Sequence, residues 1–335
     1  MSSIEYNRLL VKIARLYYEQ DMTQAQIGER LRLSRQKVQR LLGQARDEGV
    51  VQISIRPIMG TFSDIEKAIE GHFNLREAIV VETTAYEDQP TVAREVGAGA
   101  AEYLIRILQP HDKIVISWGG SLLGMVNALF SDPLPKDVED VMVIQGLGGL
   151  GDPNSEVHGS DLTRRLAKAL GAQAFLLPAP GVAGSRSAYD ALYGDPHVAE
   201  ALQRARTANL AFMGIGAPRQ DSILVREGTI VSWPELANLR EQGAVGDMNL
   251  RYFDERGQMI LSDLDSRVIG LTLDEIRQIG HIVGVAGGSA KLNAIQAALV
   301  GKLIDVLVTD HLSAQRLLDV KSEASIAKRV SRKRG

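Results

Sequence analysis

The first 48 residues carry one apolar pattern three times over. Leu9, Ile13, Leu16 and Tyr17 stand at i, i+4, i+7 and i+8, one face of an amphipathic helix over residues 4–20. Ile27 and Leu31 form the stripe of a second helix over about 23–31, which a Thr23/Gln26 capping-box pair opens. After the short turn Arg32-Leu33, Ser34 is a good N-cap for a third helix that turns Val38, Leu41 and Leu42 inward. Residues 50–56 then alternate with period two and stop at Pro57, as a short strand or wing does. Residues 61–73 place Phe62, Ile65, Ile69 and Phe73 on one side and predict a linker helix.

From about residue 77 the period changes. Apolar runs of strand length at 78–81, 114–118, 141–144, 174–177, 210–213, 282–285 and 304–308 alternate with helix-like stretches at 91–108, 121–130, 161–170, 197–207, 272–279, 289–300 and 312–318. Continuous apolar strands interleaved with helices predict an α/β fold with a large, doubly wound, mainly parallel sheet covered on both faces. The expected organisation is a winged helix-turn-helix domain at 1–57, a linker helix at 58–76, the large α/β domain at 77–320 and a basic tail at 321–335. A length of 335 residues suits two cores.

Charge sharpens that division. Residues 1–56 hold ten Lys/Arg against six Asp/Glu, the last twenty hold seven against two, and the remainder holds 21 against 33. An acidic body with a basic head is what a protein needs if only its head approaches phosphates. The tail Lys328-Arg329-Val330-Ser331-Arg332-Lys333-Arg334 reads first as a solvated, frayed end. No stretch supplies the ~20 apolar residues of a membrane span, nothing marks the N-terminus for secretion, and the chain has no cysteine. A cytoplasmic protein with no membrane partner is expected.

The second and third helices form a helix-turn-helix pattern. With Val38 and Leu41 buried, Arg35, Gln36, Gln39 and Arg40 face outward with Lys37 at their flank. Arg pairs bidentately with guanine and Gln with adenine in the major groove, while Lys and cap residues hold phosphate. Arg35, Gln36 and Gln39 are therefore expected on bases, Lys37 and Arg40 on backbone, and Thr23, Gln24 and Ser34 complete the candidate DNA-binding set. The plain alternative is a charged face on an ordinary three-helix bundle.

In the large domain, Gly119-Gly120-Ser121 follows a strand and opens a helix, so free N–H groups, the positive helix end and a hydroxyl converge where an anionic or polyhydroxylated group fits. A second such turn, Ala286-Gly287-Gly288-Ser289, carries Lys291 in the first helical turn, where a cation is disfavoured unless an anion lies between. A surface lysine on a tight turn is the plain alternative. Asp247, after Gly246, either accepts hydrogen bonds from sugar hydroxyls or is a turn-forming residue. Gln145, beside the 141–144 run, joins the candidate set.

Enzymatic features are sparse. Residues 146–151 match GxGxxG, but Asp152-Pro153-Asn154 delays the following helix and the next strand ends in Leu177-Pro178-Ala179-Pro180, with no acid for a ribose. The six histidines (His72, His111, His158, His197, His281, His311) show no metal-ligand spacing, and no nucleophile elbow exists. Asp310-His311 reads as an acid/base pair or, more simply, as a capped helix start. No catalytic residue, metal or cofactor is expected.

Taken together, these residues resemble the SorC (sorbitol-operon regulator) family, the sugar-binding branch grouped with the deoxyribonucleoside regulators. The resemblance covers nearly the whole chain and rests on the segment 16–42, on Ser117-Trp118-Gly119-Gly120-Ser121, on Ala244-Val245-Gly246-Asp247, on Ala286-Gly287-Gly288-Ser289-Ala290-Lys291 and on Val308-Thr309-Asp310. It implies an effector domain of the glucosamine-6-phosphate deaminase (NagB)/ribose-5-phosphate isomerase-like type used for sensing, and a homo-oligomer, usually a tetramer, on operator DNA. By position, Gly119, Gly120, Ser121 and Lys291 would hold the effector's phosphate or terminal oxygens, and Asp247 its hydroxyls. The family often has Thr where Ser121 stands, which leaves ligand identity open. The expected function is a DNA-binding regulator of carbohydrate metabolism gated by a sugar, polyol or sugar phosphate. The competing readings are an isomerase or deaminase with an accessory head, and an NAD-linked redox sensor.

Overall fold

Three helices make the first unit: α1 (Ser3–Tyr18), α2 (Gln24–Leu31) and α3 (Arg35–Asp47). In this computed structural model the chain divides at Ile58/Met59, and residues 3–51, 61–130, 139–149, 159–220, 225 and 231–319 are described. Of the apolar stripes read from the sequence, Ile13, Leu16, Ile27, Val38, Leu41 and Leu42 meet in one core; Leu10, outside the expected stripe, joins them, while Leu9, Tyr17 and Leu31 pack partly buried against it. Thr23 and Gln26 close a reciprocal capping box at the start of α2, and the Ser34 hydroxyl accepts the Lys37 N–H at the start of α3. The turn between them is tight because Gly28 lacks a side chain: a Cβ there would lie 2.7 Å from the Leu33 carbonyl oxygen. Arg32 takes a left-handed conformation (φ 53°) to end α2. Most of the expected wing, and the basic tail, lie outside the described residues.

The second unit begins its described part with α4 (Ser63–Phe73), then β1 (Glu77–Val81) and α5 (Gln89–Ile107). Next come β2 (Lys113–Ile116), α6 (Gly120–Leu129), β3 (Met142–Gln145), α7 (Gly159–Leu170) and β4 (Gln173–Phe175). They are followed by α8 (Arg186–Tyr193), α9 (Pro196–Arg206), β5 (Leu210–Gly214) and α10 (Trp233–Glu241). A hairpin of β6 (Gly246–Met248) and β7 (Arg251–Phe253) precedes α11 (Leu273–Arg277), β8 (Ile282–Val285), α12 (Leu292–Val300) and β9 (Val306–Asp310). The chain is helical again over 311–319.

Seven strands form one wholly parallel sheet in the order β1-β9-β8-β5-β2-β3-β4, and each of the seven apolar runs supplies one of them. One core layer packs α5, α6, α7 and α10 on one face, and a second packs α4, α9, α11 and α12 on the other. The sheet is therefore doubly wound, and its continuous apolar strands follow from burial on both faces. Chain order runs outward from β2 through β3 to β4, then returns to β5 on the other side of β2. The switch point lies between β2 and β5.

Helix α4, expected as a linker, buries Ile69 and Phe73 in the second unit's core. It also covers the sheet edge. Glu66 and Glu70 accept the backbone N–H groups of Val80 and Ala78 at 3.0 Å each, which occupies outward-facing donors of edge strand β1. The sequence reading had no β6–β7 hairpin and no α8 or α10.

Candidate functional site

Each proposed effector residue except Gln145 sits on a turn, helix start or hairpin at the carboxyl end of the central strands β8, β5 and β2. After β2, Gly119 adopts φ 120° and ψ 167°, which favours glycine, and α6 starts at once. Ser121, 2% exposed, lies in the first turn of α6, and its Oγ finds no hydrogen-bond partner among the described residues. A buried hydroxyl left unpaired costs about 1–3 kcal/mol, so this Oγ at a helix start is able to take a donor or acceptor from elsewhere.

Asp247 reaches the switch point by way of β5. Gly216, two residues past β5, exchanges both backbone hydrogen bonds with Asp247, at 2.9 and 3.1 Å. The carboxyl group is buried, and burial pushes its pKa up to about 6 against the pull of Lys291 and of the Leu250 N–H. Lys291 ends the short 3-10 turn after β8 and caps α12, so it stands just before the first helical turn expected for it. Its ammonium is pushed below the usual lysine range by burial and is held up by Asp247. Two charges that share a desolvated environment favour a polar ligand that satisfies both.

Gln145, 2% exposed at the end of β3, spends its amide on the scaffold. Nε2 donates to the Leu147 carbonyl at 2.6 Å, while Oε1 accepts from Ser160 Oγ at 3.1 Å and from the Leu177 N–H at 3.3 Å. It braces the loop after β3 against α7 and against the chain beyond β4.

Four residues that sequence reasoning passed over shape the site. Asn249 and Leu250 both take φ near +60° and turn the β6–β7 hairpin. Asn249 Nδ2 then donates to the carbonyls of Gly146 (3.1 Å) and Leu271 (3.0 Å), pinning the hairpin to the loop after β3. Buried Arg251 pairs with Asp265 at 2.8 Å and donates to the carbonyls of Val268 and Gly270. Tyr252 lies opposite Asp247 in the hairpin register, with its buried hydroxyl unpartnered among the described residues. Burial and the nearby Asp247 and Glu235 carboxylates hold that phenol well above its usual range.

The described part of the GxGxxG run is spent on structure. Gly148 N–H donates to the Ile269 carbonyl and Gly149 N–H to that of Ala179, at 2.9 Å each, so neither is free to cradle a pyrophosphate. Asp310 caps the helical segment after β9: it accepts the Ser313 N–H (2.8 Å), the Ser313 hydroxyl (2.6 Å) and the Gly288 N–H (2.8 Å). His311 Nδ1 accepts the Thr83 N–H at 3.2 Å, and its ring stacks on Phe62. The pair is scaffold.

In the head, Arg35, Gln36, Lys37, Gln39 and Arg40 of α3 are all exposed, while Val38, Leu41 and Leu42 are buried. Ser34 and Thr23 stand exposed at the two helix starts, and Gln24 is partly exposed. An open groove of about 590 Å³ runs along this side between the end of α1 and the start of α2, with Tyr17, Tyr18, Thr23, Gln24 and Arg35 among its walls.

Comparison with known proteins agrees with both halves. Residues 58–319 match a family model described as "Putative sugar-binding domain", and residues 12–48 match one described as "Sigma-70, region 4". The chain is 31% identical over 318 residues to the deoxyribonucleoside regulator of Bacillus subtilis (strain 168), covering 94% of this chain and 98% of that protein. It is 29% identical to the sorbitol operon regulator of Klebsiella pneumoniae, covering 93% and 98%. The crystal structure of the full-length sorbitol operon regulator SorC from Klebsiella pneumoniae superposes with a TM-score of 0.69 at 28% identity, over 95% of this chain and 99% of that one. This chain belongs to the SorC family. A SorC-family chain is a transcriptional regulator, with a helix-turn-helix DNA-binding head and a sugar-binding domain, and these relatives are named as regulators rather than enzymes.

Proposed function

We propose that this SorC-family chain is a ligand-gated regulator of carbohydrate metabolism, whose affinity for operator DNA is set by a sugar, polyol or sugar phosphate bound at the sheet's switch point. The observation that carries this reading is the unpartnered, buried Ser121 hydroxyl at the start of α6, just past the strand next to the one that positions buried Asp247. Gly119, Gly120, Ser121 and Lys291 hold the ligand's phosphate or terminal oxygens, using the helix start and the ammonium. Asp247 accepts from ligand hydroxyls, and Gln145 braces the wall between them. The ligand biases two arrangements of a homo-oligomer, a dimer or tetramer in the cytoplasm, and so changes operator affinity by its differential binding to them.

In the head, Arg35, Gln36 and Gln39 read bases, Lys37 and Arg40 hold backbone phosphates, and Thr23, Gln24 and Ser34 place the two helix starts against the duplex. Paired heads read a pseudo-palindrome. The test is a mobility-shift assay of the purified protein on its own promoter against pentoses, hexoses, polyols and their phosphates. One of these shifts the midpoint if the reading holds; no response to the whole panel overturns it. Lys291→Ala should abolish the response and spare ligand-free DNA binding.

A further inference from the structure

The head carries a second cationic face. Arg8, Lys12 and Arg15 stand at i, i+4 and i+7 on α1, and Arg30 near the end of α2 joins them around an open groove of about 590 Å³. All four are exposed. The ion pair formed there among the described residues is Arg15 with Glu19, at 3.8 Å and mostly solvated on both sides, while Arg30 donates to the Met22 sulfur at 3.5 Å. Such a pair neutralises little. Four cations outnumber the carboxylates of Glu5 and Glu19, in α1 and just past its end, and repel each other unless a further anion lies among them.

This face is not the reading face. Helix α1 turns Leu10, Ile13 and Ala14 to the core it shares with Val38, Leu41 and Leu42 of α3. Their outward sides therefore point away from each other, and helical geometry puts Arg8, Lys12 and Arg15 on the side of α1 opposite that core. A straight duplex lying along Arg35, Gln36 and Gln39 does not reach them. The stripe from Arg8 to Arg15 is about 10 Å long, the rise of about three base steps along one strand of a duplex.

We infer that the outward face of α1, with Arg30, is a second DNA site that grips the sugar-phosphate backbone of a duplex segment outside the base-read half-site. Phosphodiesters are the polyanion that a DNA-binding head meets at the highest local concentration, and exposed Arg and Lys suit them without regard to sequence. The contact adds affinity and salt dependence but no base preference. It requires flanking DNA that bends around the head or comes from a second segment held by the same oligomer.

The experiment uses the full-length protein and two operator duplexes, one trimmed to the base-read half-sites and one carrying long flanks. Wild type binds the long duplex more tightly, with a steeper salt dependence and with backbone protection in the flanks under hydroxyl-radical footprinting. The variant Arg8→Gln/Lys12→Gln/Arg15→Gln binds the trimmed duplex like wild type, which also certifies its fold. On the long duplex it loses about tenfold or more, and its log–log salt slope becomes shallower by about two to three, given a slope of about 0.9 per phosphate. The inference is overturned if wild type gains nothing from flanks. It is equally overturned if the variant matches wild type on both duplexes, or if it keeps all DNA binding and loses only transcriptional control, which would make α1 a docking face for an acidic protein. Absence of any DNA binding by wild type would instead remove the function proposed above.

Discussion

Gly216 and Asp247 are locked together: each donates its N–H to the other's carbonyl, and a Cβ on Gly216 would lie 2.0 Å from Asp247 Oδ1. The end of β5 thus sets where the carboxylate stands, and a larger residue at 216 fits only if that side chain gives way. Gly216→Ala should move or expel the Asp247 side chain. The expected result is a loss of effector affinity of about 30-fold or more, in the range of a missing charged hydrogen bond, with ligand-free operator binding unchanged. Titration calorimetry with the effector found in the promoter screen, beside a mobility shift without it, checks both halves. Retained affinity would show that Asp247 stands clear of the ligand.

Asp247 also predicts a pH dependence. Its carboxyl titrates near 6 in the folded protein against 3.8 as a free side chain, because burial penalises the charge. The folded state therefore binds the proton more tightly, and ligand-free stability falls as pH rises from about 4 to about 6, by up to about 3 kcal/mol, then levels off. If ligand hydroxyls donate to the ionised form, as proposed, effector affinity should fall as pH drops through 6, approaching tenfold per unit. Asp247→Asn should flatten that profile and raise the ligand-free melting temperature at pH 7.5. A wild-type affinity that is level between pH 5 and 7.5 would remove the carboxylate from the contact.

Base reading has its own signature. Arg35→Ala or Gln39→Ala should cost about 1–3 kcal/mol on the preferred operator and relax discrimination at individual positions, while effector affinity stays intact. Binding measured on single-base operator variants gives the pattern. An equal loss on every sequence would reassign those side chains to backbone contacts.

The head also tolerates little at its turn. Because a Cβ on Gly28 would meet the Leu33 carbonyl at 2.7 Å, Gly28→Val should force α2 and α3 apart and cost about 2 kcal/mol or more. DNA binding should be lost with the effector affinity of the second unit preserved. Thermal unfolding followed beside both binding assays separates the two units.

Fold class was legible because both units rest on apolar periodicity. Ile13, Leu16 and Val38 follow helical spacing, and the runs around Val115, Ile144, Phe212, Val283 and Leu307 are buried on both faces of the sheet. The β6–β7 hairpin escaped because its turn uses Leu250 at φ 59°, a residue type that gives no turn signal, between strands of three residues each. Gln145 was legible as a polar residue at a strand end, but where a buried amide spends its hydrogen bonds depends on tertiary neighbours such as Ser160 and Leu177. Gly216 was invisible for the same reason: its partner lies in a hairpin that the pattern does not announce.

Ser121 separates binding from stability most cleanly. Its Oγ is buried without a partner among the described residues, so removing it takes away an unmet polar group and leaves a methyl in a snug place. Ser121→Ala should therefore keep or raise the ligand-free melting temperature, the opposite of what a hydroxyl engaged in holding the fold would do. If the hydroxyl meets the effector, the same change costs about 1–2 kcal/mol of binding, about tenfold in affinity, with operator binding untouched. Ser121→Thr keeps the hydroxyl and should retain most of that affinity, provided the added methyl fits between α5 and α6. A destabilised Ser121→Ala protein with normal effector affinity would make the hydroxyl structural and take the start of α6 out of the ligand site.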